Sequence, residues 1–244
     1  MLLNIKDTDV NYIRYGKKDG KSIIYLHGWG QNIEMMKPVA DPFQDKFDIV
    51  IIDLPGYGQS LEPKYAWTVY DYVDFLKEFL EKLKIEKPIL VGHSFGGKIS
   101  LLYASKYEVE KLILFGSPYK QEITKMSLKT KTLKALKKVP VINKFEDFAK
   151  KHIGSIDYRN ASKIMREILV LTVNLDITEE VKKIKAPTFI IWGSLDEAVD
   201  VERAYELEKL IPDAGLVVYD NCTHYAYSEN LNQTINIMDS FLNN

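Results

Sequence analysis

Short, unbroken apolar runs recur along the chain, and most end on glycine or a polar turn residue: SIIYLHG at 22–28, FDIVIIDLPG at 47–56, KPILVGH at 87–93, EKLILFGS at 110–117, APTFIIWG at 186–193 and GLVVYDN at 215–221. A strand covered on one face alternates apolar and polar side chains. A strand covered on both faces has no reason to, so these runs predict parallel strands inside a layered sheet. Between them apolar positions recur at helical spacing. One such pattern runs from Val69 to Lys84, with Tyr72, Phe75, Leu76, Phe79, Leu80 and Leu83 on one stripe; others cover 94–106, 201–210 and 230–242. Leu2–Ile5 and Val10–Tyr15, around the polar Asp7–Asp9, predict a hairpin. Strands and helices alternating at this pitch predict an α/β fold with a mostly parallel, doubly wound sheet.

One region breaks the alternation. From Pro118 to Lys185 the pattern shows helical pieces and no strand. The expected organisation is a core domain made of 1–117 and 186–244, with 118–185 forming a helical cap inserted after the sixth strand. The first half of the insertion is rich in lysine, opposed only by Glu122, Glu146 and Asp147. Within it Leu128, Leu133 and Leu136 form an apolar stripe among Lys129, Lys131, Lys134 and Lys137. A cap buries such a stripe over the cleft it covers, so the three leucines are the candidate substrate-binding residues.

Composition narrows the function classes. The formal net charge is −1, which offers no electrostatic case for a nucleic-acid partner or an anionic membrane. A single cysteine, Cys222, leaves no intrachain disulfide and no cysteine-rich metal site. No stretch approaches the roughly 18 apolar residues of a membrane span. The apolar run in the opening MLLNIKDTDV is too short for a secretion signal. The expectation is a soluble cytoplasmic protein without stable membrane insertion; nothing in the pattern speaks to oligomeric state.

The candidate chemistry begins at Gly92-His93-Ser94-Phe95-Gly96, a G-x-S-x-G placed after a predicted strand and before a predicted helix. There the serine occupies a sharp turn, small neighbours let strand and helix approach, and the helix N-terminus favours developing negative charge. Serine is a weak nucleophile until a base takes its proton, and the base needs an acid to orient it. The chain holds four histidines. The side chain of His93 should point away from that of its neighbour Ser94, His27 orders a strand-end loop, and His152 lies in the insertion. His224, just past the last predicted strand, is the candidate base. Asp196, four residues past Trp192, is the candidate acid, with Asp200 as the alternative; the position after Gly116 carries Ser117 and Pro118 and no carboxylate. An oxyanion needs two donors. The amide of Phe95 supplies one, and that of Trp29, in His27-Gly28-Trp29-Gly30, the second.

Taken in order, His27-Gly28-Trp29-Gly30, Asp53-Leu54-Pro55-Gly56-Tyr57-Gly58-Gln59-Ser60, Gly92 to Gly97, Trp192 to Asp196, and Thr223-His224 followed by Glu229 resemble the α/β-hydrolase superfamily along nearly the whole chain. The triad order Ser94, Asp196, His224 is the order that family uses. The chain departs from the pattern at Thr223, where the family commonly has glycine, and at Asp200, where it often has proline. The resemblance implies a structural, non-catalytic role for Asp53–Ser60. It also implies a serine hydrolase that needs no metal or cofactor and acts on a small-molecule ester or related carbonyl substrate, foremost as a carboxylesterase. Carbon–carbon bond hydrolases of vinylogous diketones and non-enzymatic signalling or receptor members of the family are the alternatives. Cys222 reads as a buried structural thiol.

Overall fold

The structure is a computed structural model in which residues 1–121 and 161–243 are described. Leu128, Leu133, Leu136 and His152 lie outside the described residues, as do the lysines of the same stripe.

The chain opens with β1 (Leu2–Ile5) and β2 (Thr8–Gly16), an antiparallel pair. The turn between them is tighter than expected: Lys6 and Asp7 take positive φ of 49° and 59°, and pairing resumes at Thr8. Two consecutive left-handed residues match the twist of the flanking strands, which fixes the register. β3 (Ser22–Leu26), β4 (Asp48–Ile52), β5 (Ile89–His93), β6 (Lys111–Phe115), β7 (Thr188–Gly193) and β8 (Ala214–Tyr219) follow, all parallel. The eight strands form one sheet in the order β1-β2-β4-β3-β5-β6-β7-β8. β5 stands near the middle, and the order reverses around β3, which places the start of β5's outgoing loop at the switch point where open α/β sheets bind ligands.

Helices α1 (Ile33–Ala40), α2 (Val69–Lys82), α3 (Phe95–Ala104), α4 (Lys163–Asn174), α5 (Thr178–Val181), α6 (Glu202–Leu210), α7 (Ala226–Glu229) and α8 (Leu231–Asn243) complete the described elements, with a 3₁₀ turn at Asp41–Phe43. The period-2 geometry of the strands sorts their side chains into two cores. Ile24, Val50, Leu90, Leu112 and Ile190 pack against α2, α3 and α6. Ile23, Ile49, Val91, Ile113 and Ile191 pack against α1 and α8. This double covering is why the strands read as continuous apolar runs. β8 is the exception: it is the sheet's edge and stays half-buried until Tyr219.

The insertion departs after β6 and returns before β7. Its two described legs are tied together and to the core. The Ile177 amide donates to the Tyr119 carbonyl at 2.8 Å, and the Tyr119 hydroxyl donates to Glu206 at 2.5 Å. Lys120 and Arg203 converge on the same carboxylate at 2.9 and 2.8 Å. Hydrogen bonds from Lys120, then Tyr119, hold Glu206 down to about 2. Met165, Ile168, Ile177, Val181 and Ile184 join the same apolar cluster as α2 and α3, so the returning leg is packed as part of that layer.

Candidate active site

Ser94 sits between β5 and α3 with φ 51° and ψ −109°. No regular element accommodates that conformation, and it costs on the order of 1–3 kcal/mol for a residue with a Cβ. The surroundings hold it there. The Ser94 amide donates to the Phe115 carbonyl at 2.9 Å, and the Gly96 amide donates to the His27 carbonyl at 3.1 Å. A Cβ on Gly92 would stand 2.6 Å from the Gly97 Cα, and one on Gly96 would overlap the Leu26 carbonyl. Strand, helix and the loop after β3 therefore close on one another only because these positions lack side chains. Hydrogen bonding of Gly96 to the β3 loop leaves the Phe95 amide as the first N–H of α3, a group with no intrahelical partner.

The loops that carry Asp196 and His224 arrive from β7 and β8, which are paired through Gly193 and Tyr219. Beyond the strands the pairing continues as loop contacts: the Ser194 amide donates to the Tyr219 carbonyl at 3.0 Å, the Leu195 amide to the Cys222 carbonyl at 2.9 Å, and the Asn221 amide to Ser194 Oγ at 2.9 Å. Thr223, where the family resemblance anticipates glycine, is held by Glu229, which accepts from the Thr223 amide at 2.7 Å and from its hydroxyl. The outcome is a hydrogen bond of 2.7 Å between His224 Nδ1 and Asp196 Oδ2. Asp196 Oδ1 accepts from the amides of Ala198 and Val199 at 2.8 and 2.9 Å, so the carboxylate is oriented by its own turn before it meets the ring. Its side chain is fully shielded while that of His224 is 14% exposed. A carboxylate on Nδ1 fixes the proton there and leaves Nε2 as the lone pair. Asp200, the alternative acid, instead accepts from the Glu202 amide at 3.1 Å on the exposed start of α6.

Gly116, at the end of β6, lies against this pair. It has φ +50°, and a Cβ on it would stand 3.0 Å from His224 Nδ1 and 3.4 Å from Asp196 Oδ2. Ser94, His224 and Asp196 thus share one edge of the sheet. Among the described residues the Ser94 hydroxyl makes no hydrogen bond, and His224 bonds Asp196 but not Ser94. Catalytic hydrogen bonds are commonly loose in a free enzyme and tighten around substrate.

The remaining predicted residues fall around the same edge. Trp29 packs edge-on against Tyr57, with centroids 5.3 Å apart, and against Phe95 at 5.7 Å. His27 is buried and structural: Nδ1 donates to the Gly28 carbonyl at 2.7 Å, and Nε2 accepts from the Leu54 amide at 3.0 Å. Burial pushes it down to about 4. Asp53 is structural too, accepting from Asn11, the Ile33 amide and the Gln59 amide. Cys222 is a buried free thiol pushed up by burial and by Glu229. Two buried polar residues that no motif announces adjoin this edge: Gln31, whose Oε1 lies 3.0 Å from His93 Nδ1, and Lys98 of α3, which donates to the Thr172 carbonyl. Among the described residues no helix is long and apolar enough to cross a membrane.

The family model described as the alpha/beta hydrolase fold matches residues 21–130. The AB hydrolase superfamily protein YisY of Bacillus subtilis is 30% identical over 250 residues, covering 92% of this chain and 92% of its own. The pimeloyl-(acyl-carrier protein) methyl ester esterase of Aliivibrio fischeri is 23% identical over 249 residues, covering 92% of this chain and 95% of its own. Among solved structures, the enol-lactonase from Burkholderia xenovorans superposes with a TM-score of 0.80 at 17% identity over 100% of both chains. This chain belongs to the α/β-hydrolase family.

Proposed function

We propose that this hydrolase is a serine esterase, acting on small to medium carboxylic esters through Ser94, His224 and Asp196. The observation that carries the reading is the 2.7 Å Asp196–His224 bond on the same sheet edge as a serine held at φ 51°. His224 Nε2 takes the proton as Ser94 Oγ attacks the ester carbonyl. The amides of Phe95 and Trp29 take the oxyanion, and the start of α3 adds its dipole to the same charge. The imidazolium, stabilised by Asp196, then protonates the leaving alcohol. Water repeats the sequence on the acyl-enzyme and regenerates Ser94. The names of the relatives agree with an ester or lactone carbonyl as the electrophile: one is a methyl ester esterase and one an enol-lactonase.

The test is turnover on p-nitrophenyl esters of increasing acyl length, with one lactone and one amide alongside. Ser94→Ala is expected to keep the fold and lose all but a residual rate, and a fluorophosphonate is expected to label Ser94 alone. Near wild-type turnover in Ser94→Ala, or labelling at Cys222, would reject the serine mechanism.

A further inference from the structure

His93 is the histidine that neighbours Ser94 in sequence, and its ring joins Tyr227 on the side of the sheet that α1 and α8 cover. It is 1% exposed and packs against the rings of His224 and Tyr227, each with centroids 4.9 Å away. Its two nitrogens meet two groups from different loops. Nε2 lies 3.1 Å from the backbone carbonyl of His224, and Nδ1 lies 3.0 Å from Oε1 of Gln31. Gln31 is itself buried, and the same Oε1 accepts from the Gly28 amide at 2.8 Å. A chain of polar contacts therefore runs from the loop carrying Trp29, through the nucleophile elbow, to the loop carrying His224.

Both partners of His93 are oxygens, and a neutral imidazole has one N–H. Burial, and then the nearby His224, hold the ring well below its usual range, so it is neutral. Where the one proton sits follows from what each oxygen has otherwise. Gln31 Oε1 has the Gly28 amide as a donor. The His224 carbonyl has no backbone donor among the described residues, and a shielded carbonyl without one carries a cost of about 1–3 kcal/mol. The proton belongs on Nε2. With the proton on Nε2 the Nδ1 lone pair faces Gln31 Oε1; turning the Gln31 amide end for end lets its NH₂ donate to Nδ1 instead, at the cost of the Gly28 amide's acceptor, and in either orientation the proton stays on Nε2.

We infer that His93 is a positioning residue for the base: its Nε2–H holds the His224 carbonyl and so fixes, from beneath the nucleophile elbow, the peptide that carries the imidazole. The inference rests on the role of His224 proposed above. Asp196 restrains the ring at one nitrogen, but a ring held at one point can still swing with its backbone. The His93 bond removes that freedom by tying the base loop to the residue next to Ser94. Displacements of about 1 Å in such a constellation cost on the order of 10²-fold in rate.

Two substitutions separate the two ends of the ring. The amide nitrogen of glutamine reaches the place of Nε2, and that of asparagine the place of Nδ1. His93→Asn keeps a polar group toward Gln31 and loses the tether; its kcat is expected to fall about 10- to 100-fold at unchanged KM. His93→Gln restores the tether and is expected to recover most of that loss. Equal kcat in the two variants, the reverse order, or a loss confined to KM would overturn the inference. A measurement on the wild-type protein stands beside these: long-range ¹⁵N–¹H spectra of ring-labelled protein are expected to show His93 as the Nε2–H tautomer, and an Nδ1–H tautomer would overturn it. Ser94→Ala serves as the control. If that variant retains turnover, the serine mechanism fails and the inference with it; if it is inactive while His93→Asn matches His93→Gln, the inference alone fails.

Discussion

Lys98 offers the sharpest quantitative test of how the helix that follows Ser94 is seated. It lies one turn beyond Ser94 on α3, is 1% exposed, and donates from Nζ to the carbonyls of Thr172 and Leu175 at 2.8 and 2.5 Å. Those carbonyls end α4, where the last turn leaves acceptors without intrahelical partners. An ammonium has three protons and an amine two. Two carbonyls accept from Nζ among the described residues, so the neutral form is fully served and the charged form gains only a third, idle donor. Burial lowers the group from 10.5 to about 7, with Asp176 pulling weakly the other way. Below about 7 both folded and unfolded chains hold the proton. Between about 7 and 10.5 the unfolded chain holds it and the folded chain does not, so stability rises with pH across that window. The slope from this one group is about 1.4 kcal/mol per pH unit.

Lys98→Met keeps the stem and removes the titration. It also leaves the Leu175 carbonyl without its donor, at about 1–3 kcal/mol where shielded, while the Thr172 carbonyl keeps the Leu175 amide at 3.4 Å. Urea unfolding of both proteins at pH 7, 8 and 9 reads the difference directly, since Cys222 and the tyrosines titrate alike in the two. Whatever its deficit at pH 7, the variant is expected to fall behind by about 2–3 kcal/mol more at pH 9, the gap widening by about 1.4 kcal/mol per unit. A stability difference that stays constant from pH 7 to 9 would refute the reasoning, because it would mean that Lys98 carries the same proton in both states.

Two further outcomes follow from the site itself. Asp196→Asn is expected to lower kcat by on the order of 10⁴-fold, while Asp200→Asn, whose carboxylate only caps the Glu202 amide, is expected to stay within a few-fold; steady-state ester hydrolysis compares them, and the reverse ranking would move the acid to Asp200. Gly116→Ala places a methyl 3.0 Å from His224 Nδ1 on a backbone at φ +50°; it is expected to destabilise the fold by roughly 1–2 kcal/mol and to depress kcat more than KM, and an unchanged kcat would show that the His–Asp pair tolerates pressure from β6.

The sheet was legible because double covering leaves a simple trace: the apolar runs at 22–28, 87–93 and 186–193 contain β3, β5 and β7. The run at 47–56 overshoots, since Asp53 leaves β4 to serve loop amides. The helix at Ile33–Ala40 was not legible. It is short, it contains Pro38, and a second proline lies in the 3₁₀ turn that follows. Its start depends on Asn32, which accepts from the Glu34 amide, and on Asp53, which accepts from the Ile33 amide. The second of these caps comes from a residue twenty positions away, so no local pattern announces it. Lys98 was hidden for a similar reason. A lysine in a helix reads as solvated until the returning leg of the insertion is seen to close over it.

The three described histidines of the site show where the limit of sequence reasoning falls. All three stand at the outgoing ends of strands or in the loops beyond, and each is an equal candidate by residue type. What separates them is the partner of each nitrogen. His27 donates from one nitrogen and accepts at the other, both to backbone, so neither is available for proton transfer. His93 faces two oxygens in a closed pocket, where one proton must serve a carbonyl. His224 alone has a carboxylate on Nδ1 and, among the described residues, no partner on Nε2. A base needs an oriented proton on one side and a free lone pair on the other. The place of His224 after the last predicted strand made it the candidate, and the loop that follows β8 comes to rest beside the loop that follows its neighbour β7. The pairing of the last two strands is therefore what turns an aspartate and a histidine, far apart in sequence, into a hydrogen-bonded pair.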